Sequence, residues 1–380
     1  MKHILYLPSW FPSRINPYPG DFIKRHAIAA SLYNKITIFF TVADSSISKD
    51  EIIYEEINKN LEIYTFYYPG SRKFLSKMVN GLKRFTALKK LYNSIFSATA
   101  PDLVHVHVAY PAGLFALYLK KNKRLKYIIS EHDGIYMPGY DNYHIPGQFE
   151  KKMVPLIYKG ASLVHTVSKS LGQALVNLKL SKSQPVIIPN VVDTELFTYH
   201  KPGDHSGFNF IHVSSLINQK NPEGMLEAIA LVKKKRNDFK LKIIGPHVKS
   251  LEILSKKLAI EDQIVFLGEV AYNEVAKEIS QSDAMIHFTR YETFGCVIAE
   301  ALCSGIPVIT TALDVTRELI NDGENGLLVE ERNIQDLADK IIFFMNSGFK
   351  INGEKVAQEN KAKFNFKKVG QLFDELYTST

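Results

Sequence analysis

Glu292 and Glu300 are separated by seven residues in the stretch that carries most of the chemistry of this chain, Tyr291-Glu292-Thr293-Phe294-Gly295-Cys296-Val297-Ile298-Ala299-Glu300-Ala301-Leu302-Cys303-Ser304-Gly305-Ile306-Pro307-Val308-Ile309. Gly295 at a helix start would let a ligand approach the backbone closely. The free amides of the first helical turn carry partial positive charge and suit a phosphate. Glu300 lies in a run that is apolar on all sides, so its helix should be buried. A buried carboxylate there costs several kcal/mol unless it is paired or hydrogen-bonded. Two partners are open to it: a structural Lys or Arg, or sugar hydroxyls, which are natural donors to a carboxylate. Glu292 read by itself is a residue of a surface turn.

These residues need a scaffold, and the pattern of the chain supplies one. Short β-rich apolar runs alternate with helical periodicity throughout. In the first half the expected strands are His3–Leu7, Lys35–Val42, Leu61–Tyr67, Leu103–Val108, Tyr127–Ser130, Leu163–Thr166 and Val186–Ile188. In the second half they are Phe208–Val213, Leu241–Ile244, Ile264–Phe266, Ala284–Phe288, Pro307–Thr310 and Gly326–Val329. Continuous apolar strands between helices imply parallel sheets covered on both faces, with binding loops at the carboxyl ends of the strands. A polar Pro- and Gly-bearing segment near 191–207 separates the halves. The expected organisation is a domain over 1–195, a second over 205–365, and a helix over 366–380. Val369, Leu372, Phe373 and Leu376 give that helix one apolar face, which must dock, and the first domain is its expected seat.

Motifs that do not occur narrow the function classes. No two of the 21 glycines are two positions apart, so the usual dinucleotide fingerprint is missing. There is no Gly-Lys pair for a P-loop, no C-x-x-C and no H-E-x-x-H. Cys296 and Cys303 would lie about 10 Å apart on one helix, too far for a disulfide. The amino-terminal apolar run is too short for a signal peptide, and no run approaches a membrane span. A cytoplasmic setting is expected, peripheral on the inner face of a membrane. His105 and His107 share one strand face but have no carboxylate partner, so no metal or other cofactor is expected.

The formal charge of +8 is uneven. Residues 1–190 hold 25 Lys+Arg and 12 Asp+Glu, a net +13, whereas 191–380 hold 22 and 27, a net −5. The stretch from Ser71 to Lys90 carries Arg72, Lys73, Lys77, Lys83, Arg84, Lys89 and Lys90 with no acid. Phe74, Leu75, Met78, Leu82, Phe85 and Leu88 interleave with them at helical spacing. Such a stretch reads either as an interfacial helix on an anionic membrane or as a core-facing helix with a solvated basic face. Charge alone also admits a nucleic-acid partner, but no RRM, zinc-finger or helix-turn-helix pattern accompanies it, and no nucleic acid is expected.

With its flanks, the Glu-x7-Glu stretch resembles the signature of the family 4 retaining glycosyltransferases of the GT-B fold. Further segments resemble that family: Pro189-Asn190-Val191-Val192-Asp193, Ser214-Ser215-Leu216-Ile217-Asn218-Gln219-Lys220, Glu318, Asn325-Gly326-Leu327-Leu328-Val329, Asp102-Leu103-Val104-His105-Val106-His107, and Ser130-Glu131-His132-Asp133. The resemblance implies two Rossmann-like domains facing each other across a cleft. It implies a hexosyl transfer with retention, from a nucleotide-sugar donor to a saccharide or lipid-linked saccharide acceptor, in cell-surface polysaccharide or glycolipid synthesis.

The roles it implies fall on matching positions. Lys220 neutralises the donor diphosphate. Ser215 stands where the family has an arginine, and Arg290 is the candidate to compensate. Glu292, Thr293 and the Phe294–Cys296 backbone hold the donor sugar, and Glu300 holds the ribose. The backbone near Val270 meets the base. Gly20 takes the place of the glycine loop after the first strand, and His132 that of the active-site histidine. His132 also fits a histidine satisfied by a core carbonyl. The acceptor or membrane falls to Arg72, Lys73, Lys77, Lys83 and Arg84. A nucleotide-sugar 2-epimerase of the same fold is the alternative activity.

Overall fold

The computed structural model of the chain describes every residue except 71–75, 141–146, 202–205, 348 and 350, and every described side chain except those of 76, 77 and 347. Arg72, Lys73 and the Lys77 side chain therefore lie outside the described residues. The chain divides into two compact units, Met1–Asp133 with His144–Val191 and Phe366–Thr380, and Gly134–Tyr143 with Val192–Asn365. The division thus falls at Val191/Val192, at the start of the 191–207 segment and a few residues before the expected bound at 195, and the carboxyl-terminal helix belongs to the first unit.

The first unit runs β1 (His3–Pro8), α1 (Asp21–Ser31), β2 (Lys35–Asp44), β3 (Glu51–Asn58), β4 (Leu61–Pro69), α2 (Ser76–Ile95), β5 (Leu103–His107), α3 (Gly113–Lys123), β6 (Tyr127–Glu131), α4 (Gln148–Gly160), β7 (Leu163–Thr166), α5 (Lys169–Asn177) and β8 (Val186–Ile187). Its eight strands are ordered β3-β4-β2-β1-β5-β6-β7-β8. All neighbours are parallel except β3 and β4, which form an antiparallel pair at the edge. The sequence pattern gave no strand at β3 and a wholly parallel sheet. The reason is that Glu51, Glu55 and Glu56 leave β3 mostly exposed, so it lacks the apolar run that marks its neighbours. Charge of this kind is how an edge strand avoids pairing with another chain.

The second unit runs β9 (Phe208–Val213), α6 (Pro222–Lys233), β10 (Phe239–Ile244), α7 (Lys249–Lys257), β11 (Ile264–Gly268), α8 (Tyr272–Ser280), β12 (Ala284–His287), α9 (Cys296–Cys303), β13 (Val308–Thr311), β14 (Gly326–Val329), α10 (Ile334–Ser347) and α11 (Gly353–Phe364). The strand order is β11-β10-β9-β12-β13-β14, all parallel. Each sheet reverses its winding once, at β1/β5 in the first and at β9/β12 in the second. The carboxyl ends of those strands are where an open α/β sheet leaves a binding crevice.

The last helix, α12 (Phe366–Thr378), buries Val369, Phe373, Leu376 and Tyr377 against the first unit's core. Gly370 lets its backbone meet α1, since a Cβ there would collide with the Ala29 carbonyl. Tyr377 continues inward: its hydroxyl lies 2.5 Å from that of Tyr6 and 2.9 Å from His105 Nδ1. His105 Nε2 in turn bonds Ser130 Oγ, which bonds His165 Nε2. A polar chain thus threads the core, and the bonds among its members offset the cost of burying them.

Candidate active site

In the second unit the expected site residues gather at the ends of β9 and β12. After β12 the chain turns through Thr289-Arg290-Tyr291-Glu292 and enters α9 at Gly295. Gly295 is left-handed (φ 87°, ψ 61°), which a glycine adopts without strain. A Cβ there would also press to 3.0 Å from Ile298 Cδ1. The helix that follows is fully buried from Ile298 to Cys303 and ends on Gly305, again left-handed (φ 74°). Cys296 and Cys303, at its two ends, are both free thiols.

Glu292 is not a surface turn residue. It is 5% exposed, and its Oε1 accepts from His287 Nε2 at 2.8 Å and pairs with the Lys220 ammonium. Burial alone would raise its pKa. The Lys220 charge and the His287 hydrogen bond outweigh burial and hold the carboxyl down at about 2. His287 is itself pushed down by burial, against the pull of Glu292. Its bond to Glu292 is therefore a neutral N–H donating to a carboxylate. Lys220 and Glu292, to which the resemblance gives separate duties, are thus ion-paired with each other.

Lys220 ends a 3₁₀ turn, Asn218–Lys220, that follows β9. The turn is fastened to the β12 loop: Arg290 N donates to Gln219 O at 2.8 Å, Gln219 Nε2 to Tyr291 O at 2.8 Å, and Thr289 Oγ1 to Gln219 O at 3.0 Å. Arg290 Nη2 donates to Asn221 Oδ1 at 3.1 Å, and Arg290 Nε is buried with no partner among the described residues. Arg290 is therefore tied to the residue beside Lys220, whereas Ser215 is exposed beyond the end of β9. The next residue, Leu216, is left-handed at φ 53°. His212, at the end of β9, donates from Nδ1 to Ile286 O and accepts at Nε2 from Ser214 Oγ, at 2.8 Å each, and burial pushes its pKa to about 3.

Glu300 is 3% exposed and Oε1 accepts from Tyr272 Oη at 2.7 Å. The hydroxyl that meets it comes from the start of α8, just after the loop holding Val270. Val270 is half-buried, and the nearby Gly268 (φ 72°) has open space where a side chain would be.

In the first unit, His132 lies just past the end of β6 and is 5% exposed. Its Nε2 is 3.5 Å from His107 Nδ1, its ring is 4.7 Å from that of Phe22, and its Nδ1 has no partner among the described residues. His26 and His107 complete a buried trio whose ring nitrogens lie within 4.8 Å of one another, the one group among the described residues with the spacing to hold a metal ion. His26 Nε2 is 3.1 Å from Pro189 O. Burial pushes His26 to about 4, and holds His107 and His132 well below the usual range, so all three are neutral at physiological pH. Gly20, left-handed at φ 79°, caps α1 with its α-carbon against the Trp10 carbonyl; a Cβ would sit 2.5 Å from that oxygen.

Several residues of these clusters were not singled out by sequence. Glu131 accepts from His132 N (2.8 Å), Asp133 N (2.9 Å), Ala109 N (3.1 Å) and Tyr158 Oη (2.6 Å), and so fixes the backbone beneath His132. Burial first, and Asp133 second, lift it to about 7. His287 and His212 carried one legible signal, a histidine at the carboxyl end of an apolar run. Tyr272 and Asn221 carried none.

Two family models match the chain, Glycosyltransferase Family 4 over residues 38–196 and Glycosyl transferases group 1 over residues 201–364. The chain belongs to the family 4 glycosyltransferases. This glycosyltransferase is 28% identical over 335 residues to an uncharacterized glycosyltransferase of Methanocaldococcus jannaschii, covering 85% of this chain and 88% of that one. It is 25% identical to the alpha-monoglucosyldiacylglycerol synthase of Streptococcus pneumoniae over 63% of this chain and 58% of that one. Among solved structures, the sucrose-phosphate synthase of Thermosynechococcus elongatus superposes with a TM-score of 0.78 at 17% identity, and Anabaena HepE, in complex with UDP and glucose, with 0.76 at 19%. Both comparisons cover the whole of each chain, and they show the GT-B fold.

Proposed function

We propose that this glycosyltransferase moves a hexosyl group, with retention of anomeric configuration, from a nucleoside-diphosphate donor to a saccharide or lipid-linked saccharide acceptor. The observation that carries the reading is the buried Lys220–Glu292–His287 group beside the Gly295 helix start, at the switch point of the second sheet. An ammonium and free amides in one place suit a diphosphate. Glu292, kept ionised, holds Lys220 in position until the phosphate takes that charge, and then accepts from hydroxyls of the transferred sugar. Arg290, bound through Asn221 to the same turn, supplies the second cation that Ser215 lacks. Glu300 accepts from ribose hydroxyls in place of Tyr272, and the Val270 backbone faces the base.

In this reading the bond from C1 to the diphosphate oxygen breaks while the acceptor oxygen bonds C1 on the same face, and the acceptor's hydroxyl proton passes to the departing diphosphate. Positioning and stabilisation of the leaving diphosphate do the catalytic work, without a metal. His132, neutral, gives a polar contact to sugar rather than a charge. Two of the similar proteins support the ligand classes: HepE was solved with UDP and glucose, and one relative is named for synthesis of a glycolipid. No helix among the described residues is long and apolar enough to cross a membrane. Lipid-linked acceptors would be met through the basic first unit at an anionic surface.

The test is product analysis with a panel of nucleotide sugars. Acceptor-dependent transfer, with the donor's anomeric configuration kept in the NMR spectrum of the product, is expected. Inversion would overturn the retention, and isomerisation of free nucleotide sugar without an acceptor would overturn the transfer.

A further inference from the structure

The first unit holds an apolar cavity of about 570 Å³ among α2, the start of α3 and the start of α4. This is within the ordinary size range of a ligand pocket. Met78, Leu82, Phe85, Phe115 and Phe149 line it. Three of these are largely exposed, Met78 at 60%, Leu82 at 64% and Phe149 at 56%. A helix whose far half buries Leu88 and Leu91 thus keeps its near half apolar and wet. The far half of α2 fits the core-facing reading from sequence, with Leu88 and Leu91 buried.

Arg84 also lines this cavity, and its guanidinium lies at the carboxyl ends of β1 and β2. Its Nε donates to Thr41 Oγ1 at 3.2 Å, and Nη2 to Thr41 O at 3.3 Å and Ser9 O at 3.4 Å. These acceptors are neutral. Among the described residues no carboxylate pairs with Arg84, and burial lowers its pKa, opposed only by the Tyr68 and Tyr110 hydroxyls. Nη1 has no bond at all among them. Glu150, the carboxylate that shares the lining, is bonded to the Tyr110 hydroxyl instead. A partly buried guanidinium without a carboxylate partner is costly, and its planar fork suits phosphate. It stands at the β1/β5 switch point, because Ser9 also bonds Val108 O and the Ala112 amide. Exposed Lys89, Lys90, Lys151 and Lys152 add positive charge on the same two helices.

We propose that this groove and Arg84 together form a site for an anionic lipid, its aliphatic chain lying between α2, α3 and α4 and its phosphate on Arg84 Nη1. The site rests on the reading above that the acceptor is lipid-linked, and it assigns the part of that acceptor which the first unit holds: a phosphate joined to a single aliphatic chain.

The probe is decyl phosphate, with inorganic phosphate and decanol as the two halves of the molecule, titrated into the full chain. Trp10, the single tryptophan, directly follows Ser9, so its fluorescence reports the site. Saturable binding of decyl phosphate, at least tenfold tighter than either half, is expected. Arg84→Gln should reduce it to the level of decanol. Leu82→Asp, at an exposed position that folding does not need, should weaken it at least tenfold. Binding of decyl phosphate no tighter than decanol would remove the phosphate role, and binding of inorganic phosphate alone at equal strength would show a free-phosphate site instead. Unchanged binding by Leu82→Asp would remove the groove. UDP and GDP titrated into the same wild-type protein separate the two proposals: nucleotide binding without decyl phosphate binding overturns this site alone, and the reverse overturns the donor reading alone.

Discussion

Replacing Lys220 by methionine keeps the length of the side chain and removes the charge that Glu292 depends on. The Glu292 carboxyl sits at about 2 against an ordinary 4.5. At 1.36 kcal/mol for each unit of pKa, that is about 3.4 kcal/mol of preference for the ionised form, left over after burial has opposed it. Both side chains are largely buried, at 17% and 7% exposure, so solvent screening discounts the figure little. Because the folded pKa is depressed, this stabilisation is fully present above about pH 4.5 and is lost as pH falls from there through about 2. In Lys220→Met the remaining His287 hydrogen bond competes with burial alone, and the carboxyl moves upward. The variant should therefore be destabilised by about 2–4 kcal/mol at pH 7, as expected for a buried pair with one partner removed. Its deficit against wild type should shrink on acidification, because protonating Glu292 relieves the variant and harms the wild type. Denaturant unfolding followed by far-UV circular dichroism from pH 7.5 to 4 measures this. A deficit that stays constant over that range would refute the electrostatic reasoning and leave Lys220 as a packing residue.

Other outcomes follow from the same geometry. Glu300→Gln removes the charge that strengthens its hydrogen bonds, and nucleoside-diphosphate affinity should fall by about 10- to 150-fold, as 1.5–3 kcal/mol requires, read by calorimetry. Gly295→Ala forces a left-handed alanine against Ile298, at a cost of about 1–2 kcal/mol, so thermal unfolding should come earlier and nucleotide affinity should fall with it. His26, His107 and His132 are neutral at physiological pH, so kcat/KM should show no ionisation near 6.5 from this trio; a limb there that disappears in His132→Gln would contradict the burial argument. Gly370→Val should unseat α12 from α1 and lower the melting temperature, by an amount comparable with overpacking a core, about 1–3 kcal/mol.

Much of this architecture is legible in the chain because continuous apolar strands announce a parallel sheet. Nearly all the strands appear within a residue or two of the spans read from the pattern. β3 does not, because an exposed edge strand has no burial to write into its sequence. The same limit governs the site. Gly295 is readable as a glycine at a helix start, and Glu300 is readable as a carboxylate in an apolar helix. Its partner Tyr272 is 28 positions away with no spacing to reveal it. Likewise the bond between Lys220 and Glu292 depends on how two loops from neighbouring strands are tied together. Arg84 shows the converse: the sequence placed it in one group with Arg72, Lys73, Lys77 and Lys83, and only the fold singles it out, by setting it against Thr41 and Ser9 without a carboxylate.

Nucleotide binding at the second unit's switch point is the property on which the proposed activity depends. Titration calorimetry of wild type, Lys220→Met and Glu300→Gln with UDP and GDP measures it. One of the two diphosphates should bind wild type at a single site, at least tenfold tighter than either variant. Equal affinity in all three proteins would contradict the site, and absence of binding by both nucleotides would contradict the donor class.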